Sequence, residues 1–292
     1  MVDAALSGAD RRALAWEAID YANATPANRF VAPEDHWPQF AAVPLTLAQR
    51  HGMNNLALRF SCEMVAHFER YVVDYLETKT ARFRDALPAK AARRFAADER
   101  NHIAGFVRLL AVLRPSAYRD GQLAFFRQGF WDRLVVKLSP AVTFFVATDL
   151  LEEMFLHLHP VMEARPDQTL PAAREVMALH ASDEKSHLAM DDVVLRKRGA
   201  RMWRWTFALQ ALASLLIILV VDRKTQRAWK RAVHAHAGEL DLSPCATRAL
   251  AKKRLSVSDL MGLRAFIARR RDKPFPGSRL LCWLLARALP KT

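Results

Sequence analysis

Up to about Gly199, apolar positions recur at the three- and four-residue spacing of helices, with little of the strict alternation that marks strands. An amphipathic stretch from Asp10 to Asn23 predicts a short helix, followed by a loop punctuated by Pro26, Pro33, Pro38 and Pro44. A long helix is predicted from about Leu45 to about Arg82. A second runs from Pro88, which suits a first helical turn, to about Leu113. Arg114 to Arg133 holds Pro115, Gly121 and Gly129 among many aromatics and reads as a connection. A third helix spans roughly Pro140 to Glu163, and a fourth begins near Pro171 and continues past Val194. Four such helices suffice for a bundle.

After Gly199 the pattern changes. Thr206 to Val221 is an uncharged apolar run, shorter than a membrane-spanning helix usually needs. Its Trp and Arg flanks leave two readings open, a buried fifth helix or an element at a membrane surface. The rest, to Thr292, reads as short basic amphipathic helices. The expected organisation is therefore an N-terminal helix and loop (1–44), a helical bundle (45–199), and a basic helical extension (200–292) packed on the bundle or on a membrane.

Composition agrees with an all-α chain. Of 292 residues, 52 % are hydrophobic, only 9 are Gly, and β-branched runs are sparse. Cys62, Cys245 and Cys282 are far apart and odd in number, which predicts a reducing compartment and no disulfide framework. The first residues carry acids and no apolar leader core, so a cytoplasmic location, with membrane association as an option, is expected. The formal net charge of +14 sits mostly after Arg196. No zinc-finger spacing, RNP-like strand or basic recognition helix accompanies it, so nucleic acid is not an expected partner, whereas peripheral contact with an anionic membrane is.

The chemistry lies in a doubled motif. Asp98-Glu99-Arg100-Asn101-His102 and Asp183-Glu184-Lys185-Ser186-His187 are both Asp-Glu-x-x-His. Residues three apart share a helix face, so each copy aims a carboxylate and an imidazole at one point. Phe95, Ala96, Ile103, Ala181 and Leu188 surround the two pairs with apolar groups, and a buried carboxylate there requires a metal, a cation or a proton. A dinuclear site in a bundle takes Glu-x-x-His from two helices and one Glu from each of the others. Asp98 and Asp183 are natural partners for the outer nitrogens of the histidines. His180 lies on the stripe of Glu184 and His187 and is a candidate third nitrogen ligand. On the third helix Glu152 and Glu153 both qualify by position. On the first, Glu69 is walled by Val65, Ala66, Val72 and Val73, whereas Glu63 shares a stripe with Arg59, Arg70 and Asp74 that reads as solvated.

This pattern resembles the ferritin-like di-iron oxygenases, and most specifically the p-aminobenzoate N-oxygenase family, whose last helix carries His-x-x-x-Glu-x-x-His. Here that motif is His180-Ala-Ser-Asp-Glu184-Lys-Ser-His187. At the family's separation the upstream Glu falls on Glu153, and its first Glu-x-x-His on Glu99 and His102. The family's spacing favours a first-helix Glu nearer Glu63, while burial and the spacing of other ferritin-like oxygenases favour Glu69. A bacterial ferritin-like group labelled metal-dependent hydrolases is also similar, through His36-Trp37, Asn55-Leu-Ala-Leu and Glu69-Arg-Tyr. The resemblance implies a ferritin-like four-helix bundle with additional C-terminal helices. With Glu69 taken on the first helix for its apolar surroundings, the expected metal ligands are Glu69, Glu99, His102, Glu153, His180, Glu184 and His187, and the resemblance implies that they hold two Fe ions, with Mn as the alternative metal. It further implies O2 and a small organic substrate, an amine for N-oxygenation, together with an electron donor; a homodimer is compatible with it. The alternatives are a binuclear hydrolase using metal-bound hydroxide and a non-enzymatic membrane-associated protein. Phe125-Phe126 to Trp131 could cap the site, and His67, His157 and His159 are candidates for proton or substrate contacts.

Overall fold

The computed structural model describes residues 13–23, 30–34, 37, 40–79, 81, 85–118, 120–156, 158–200, 202, 204–253 and 276–288, and among these it contains helices and no strand. The fold is all-α. Helices α1 (Leu47–Lys79) and α2 (Ala89–Leu113) pack along each other after a short link. Where the connection was expected, a further helix, α3 (Phe130–Leu138), follows Gly129, whose N–H donates to Asp132 Oδ2 at 2.5 Å. The glycines and aromatics that precede it mask its short periodic stretch.

The helix expected over Pro140 to Glu163 is two helices, α4 (Ala141–Phe155) and α5 (Leu158–Ala164). Pro160 has no N–H to donate and its ring crowds the carbonyl four residues back, so the chain leaves helical geometry at Leu156. α6 (Pro171–Gly199) follows, opened by a proline at its first position. The apolar run lies in the first half of α7 (Arg204–His236), whose 33 residues make a rod of about 50 Å. α8 (Pro244–Lys252) and α9 (Pro276–Ala288) are the short C-terminal helices.

Helices α1, α2, α4 and α6 form the bundle. α1 lies on α2 and α4 on α6, and contacts of α2 with α6 and of α1 with α4 join the pairs. α7 packs against α4 along one face, where Ser214 Oγ donates to the Thr143 carbonyl at 3.0 Å. Further along, Trp229 is fully buried, edge-on to Phe60 of α1 (5.2 Å between centroids) and stacked on Phe40 (5.8 Å). Of the N-terminal helix expected from Asp10 to Asn23, residues 13–17 are helical and Tyr21–Asn23 form a 3₁₀ turn; the start of that prediction, like Pro26, His36 and Pro38 of the following loop, lies outside the described residues. The helical turn at 13–17 brings Trp16 into the bundle, buried against Gly105 of α2, where a side chain would occupy the space of the indole ring.

Candidate metal centre

Six of the expected ligands converge at one depth in the bundle. Glu69 from α1, Glu99 and His102 from α2, and His180, Glu184 and His187 from α6 are all 0–1 % exposed. They form two overlapping sets of donor atoms, each set within 4.8 Å: Glu69, His102, His180 and Glu184, and then Glu99, His102, Glu184 and His187. Glu184 and His102 belong to both. His180 Nε2 lies 2.8 Å from Glu69 Oε1 and 2.9 Å from Glu184 Oε1. His102 Nδ1 is 3.3 Å from Glu69 Oε2 and 3.2 Å from Glu99 Oε2, and His187 Nδ1 is 3.3 Å from Glu99 Oε1.

The two aspartates cross over. His102 Nε2 faces Asp183 Oδ2 on α6 at 3.4 Å, and His187 Nε2 faces Asp98 Oδ2 on α2 at 3.7 Å. Each Asp-Glu-x-x-His motif therefore supplies the carboxylate behind the other motif's imidazole, which turns both Nδ1 atoms toward the centre. Asp183 is also reached by the Trp16 indole N–H at 3.3 Å, and the Trp16 ring lies 5.4 Å from that of His102. Phe95 and Phe106 wall the pocket against His187 and His180, at 4.2 and 5.2 Å between centroids.

Burial works against every charge here, and the charges answer one another. For Glu69 burial alone raises the pKa, yet His102 and His180 outweigh it and hold the carboxyl at about 2. Glu184 is likewise pulled down to about 2 by His180 and His187. On the partner side, burial is overcome by Glu69, Asp183 and Glu184, so His102 is pushed up to about 9; His187 reaches about 10 through Asp98 and Glu184. His180 is raised as well, chiefly by Glu184. The acids and imidazoles of the cluster therefore stabilise opposite charges on one another.

On α4 the buried member of the acidic pair is Glu152, at 1 % exposure, and Glu153 is half-buried; neither of them belongs to the two donor sets. Both Glu152 oxygens are buried without a hydrogen-bond partner. Burial, and then the charges of Asp191, Glu184, Glu69 and Asp149, push its carboxyl well above the usual range. Asp149 and Asp191, at 1 % and 0 % exposure, were not anticipated from the sequence. The signal was present in the spacing, since Asp191 continues the stripe of His180, Glu184 and His187, and Asp149 lies one turn before Glu152.

Glu63 does not lie on a solvated face. It is fully buried, and Arg59, expected beside it in solvent, is 3 % exposed. The connection before α3 folds over that face of α1. Tyr118 donates to Glu63 Oε1 at 2.5 Å, and the backbone N–H groups of Phe125 and Phe126 donate to Oε2 at 2.6 and 3.3 Å. Phe125 and Phe126 pack on Phe60, so this stretch seals the bundle's flank. His67 joins another cluster, accepting at Nε2 from Lys224 Nζ (2.8 Å), which also binds Asp132 Oδ2 at 2.6 Å. Burial first, and then Lys224, lowers His67 to about 3, so it is neutral. His157 lies outside the described residues, as does the side chain of His159.

No significant match appears among curated proteins or solved structures. The family model described as P-aminobenzoate N-oxygenase AurF matches residues 16–252, a span that takes in Trp16, every metal-centre residue described above and all of α7. With that match covering most of the sequence, the chain belongs to the p-aminobenzoate N-oxygenase AurF family.

Proposed function

We propose that the chain is a non-haem di-iron oxygenase that oxidises a small organic molecule, an amine being the substrate class the family description favours. The observation that carries this reading is the pair of donor sets sharing Glu184 and His102. Two adjoining sets of four buried groups suit two ions, where one ion would need a single set. The donors fit iron: three imidazoles that are neutral once a metal replaces their protons, and carboxylates able to bridge. In this reading the ligands are Glu69, Glu99, His102, Glu152, His180, Glu184 and His187, with Glu152 taking the role that family spacing gave to Glu153. Its unpartnered buried oxygens support the choice. Four carboxylates among these seven ligands would balance two divalent cations, which removes most of the electrostatic cost of burial. Two ferrous ions held there would supply oxygen activation and electron transfer from an external donor.

The chain's own residues have definable tasks in such a reaction. Asp183 holds the His102 imidazole by its outer nitrogen, which fixes tautomer and ring angle, and Asp98 stands 3.7 Å behind the outer nitrogen of His187, where its charge favours the same orientation. Trp16, Phe95 and Phe106 keep water from the centre. The test is metal analysis of protein purified without added metal, combined with oxygen uptake in the presence of a reductant and an aryl amine. Two iron ions per chain and amine-dependent oxygen uptake are expected. Zinc content, with hydrolysis that proceeds without oxygen, would replace the oxygenase by a binuclear hydrolase.

A further inference from the structure

The solvent side of α7 has no explanation in the metal centre. Leu209, Leu212, Leu216 and Val220 are 54 %, 48 %, 56 % and 48 % exposed. Their spacing of three and four residues places them on one stripe, about 17 Å long. At the same spacing the exposed face continues through Arg223, Arg227, Lys230, Arg231 and His234. One uninterrupted face therefore turns from apolar to cationic near Val220. The neighbouring α9 exposes Trp283, with Arg279 one turn before it.

By length and composition α7 could cross a membrane, and only 22 % of its most apolar window is buried. Its other face, however, is committed: Ala211, Ser214, Leu215 and Ile218 are buried, and Ser214 is bonded to α4. A helix fixed to the bundle on one side and apolar on the other can lie in a membrane plane, but cannot cross without leaving its partner. Exposed apolar patches of this kind on soluble chains mark interaction sites.

We propose that α7 docks this protein in the plane of an anionic phospholipid surface. The Leu209–Val220 stripe enters the boundary between headgroups and acyl chains, and Arg223, Arg227, Lys230 and Arg231 lie among the lipid phosphates. Charge selects lipid over a second copy of the chain. The cationic half of the face, on a protein of formal net charge +14, repels its own kind and is drawn to an anionic bilayer. The proposal stands on the surface of α7 and does not depend on the metal centre.

The experiment is flotation of the full-length protein with vesicles of phosphatidylcholine alone or with about one-third phosphatidylglycerol, at low and high salt. Binding is expected to the anionic vesicles at least about tenfold over the neutral ones, and to weaken as salt shortens the reach of charge. Arg223→Ala and Arg227→Ala should each lower partitioning by about fivefold. The pair Leu212→Ser with Leu216→Ser should lower it by about tenfold or more at unchanged helicity and iron content. Equal binding to both vesicle types, absence of flotation, or wild-type flotation of the double leucine variant would each overturn the proposal. A dimer in light scattering that the leucine variant splits, with no vesicle binding, would instead assign the face to self-association.

Discussion

Gly105 sits in the middle of α2 directly beneath the Trp16 ring, and a Cβ built there would overlap two atoms of that ring's six-membered half. Gly105→Ala therefore has two opposed effects. Alanine in a helix interior is favoured over glycine by about 1 kcal/mol. Overpacking against a well-buried ring costs about 1–3 kcal/mol, and complete expulsion of Trp16, which is only 4 % exposed, approaches the ~3–5 kcal/mol of a Trp→Ala truncation. The net expectation is a loss of up to roughly 4 kcal/mol, or a fall of a few degrees in Tm for a chain of this size. With Trp16 already replaced by alanine the clash is gone, and Gly105→Ala should become stabilising by about 1 kcal/mol. The assay is a double-mutant cycle on metal-free protein, followed by thermal or urea unfolding, so that bound metal does not contribute to stability. The site should register the same displacement. Moving Trp16 removes a donor from Asp183, which stands behind His102, so iron affinity should fall by about tenfold or more. If Gly105→Ala has the same effect with and without Trp16, the contact as described is wrong.

The remaining predictions concern the acids. Glu152→Gln should lose at least one iron per chain, whereas Glu153→Gln should keep both, and iron quantification after gel filtration reads the difference; the opposite ranking would return the ligand role to Glu153. Glu63→Ala should free the 118–126 connection and lower stability by about 3 kcal/mol, through the loss of three hydrogen bonds to a buried carboxyl, while leaving iron content intact. Glu69→Ala should strip the metal instead. Asp132 is pulled below its usual pKa because, against burial, Lys224, Tyr71 and the Gly129 N–H stabilise its charge. A depressed carboxyl contributes stability above its unfolded pKa of about 3.9 and loses it as pH falls through the folded value. Asp132→Asn should therefore cost about 1–2 kcal/mol at pH 7, with the gap to wild type closing only below about pH 4 in acid titrations of unfolding.

The fold was legible because four stretches carry a helical period and prolines mark where helices start: Pro88 precedes α2, Pro140 precedes α4, and Pro171 opens α6. The buried cluster of acids and histidines was legible in α2 and α6 because these residues repeat there at three and four residues in otherwise apolar surroundings. It was ambiguous in α4 for a physical reason. Phe144, Phe145, Val146, Ala147, Leu150 and Leu151 are all buried, so that helix has no polar face from which to judge which of two adjacent glutamates turns inward. Glu63 failed differently. Its helical neighbours Arg59, Arg70 and Asp74 imitate a solvated stripe, and only the long-range fold of the 118–126 connection buries it.

The crossing of Asp98 and Asp183 lies beyond any reading of one helix. Within each motif the aspartate precedes its own glutamate, and side chains one residue apart diverge on a helix. An aspartate that diverges from its own motif points to the flank, where the antiparallel or parallel neighbour's motif sits only if both lie at the same height. In the structure they do, and the carboxylate of each helix meets the outer imidazole nitrogen of the other. This makes the second aspartate a long-range restraint as well as a local one: removing Asp183 should disturb His102 on α2 more than His187 on its own helix. Comparing the histidine ring signals of Asp183→Asn and Asp98→Asn by NMR reads the pairing directly. Each variant perturbing the imidazole of its own motif, and not the other, would contradict it.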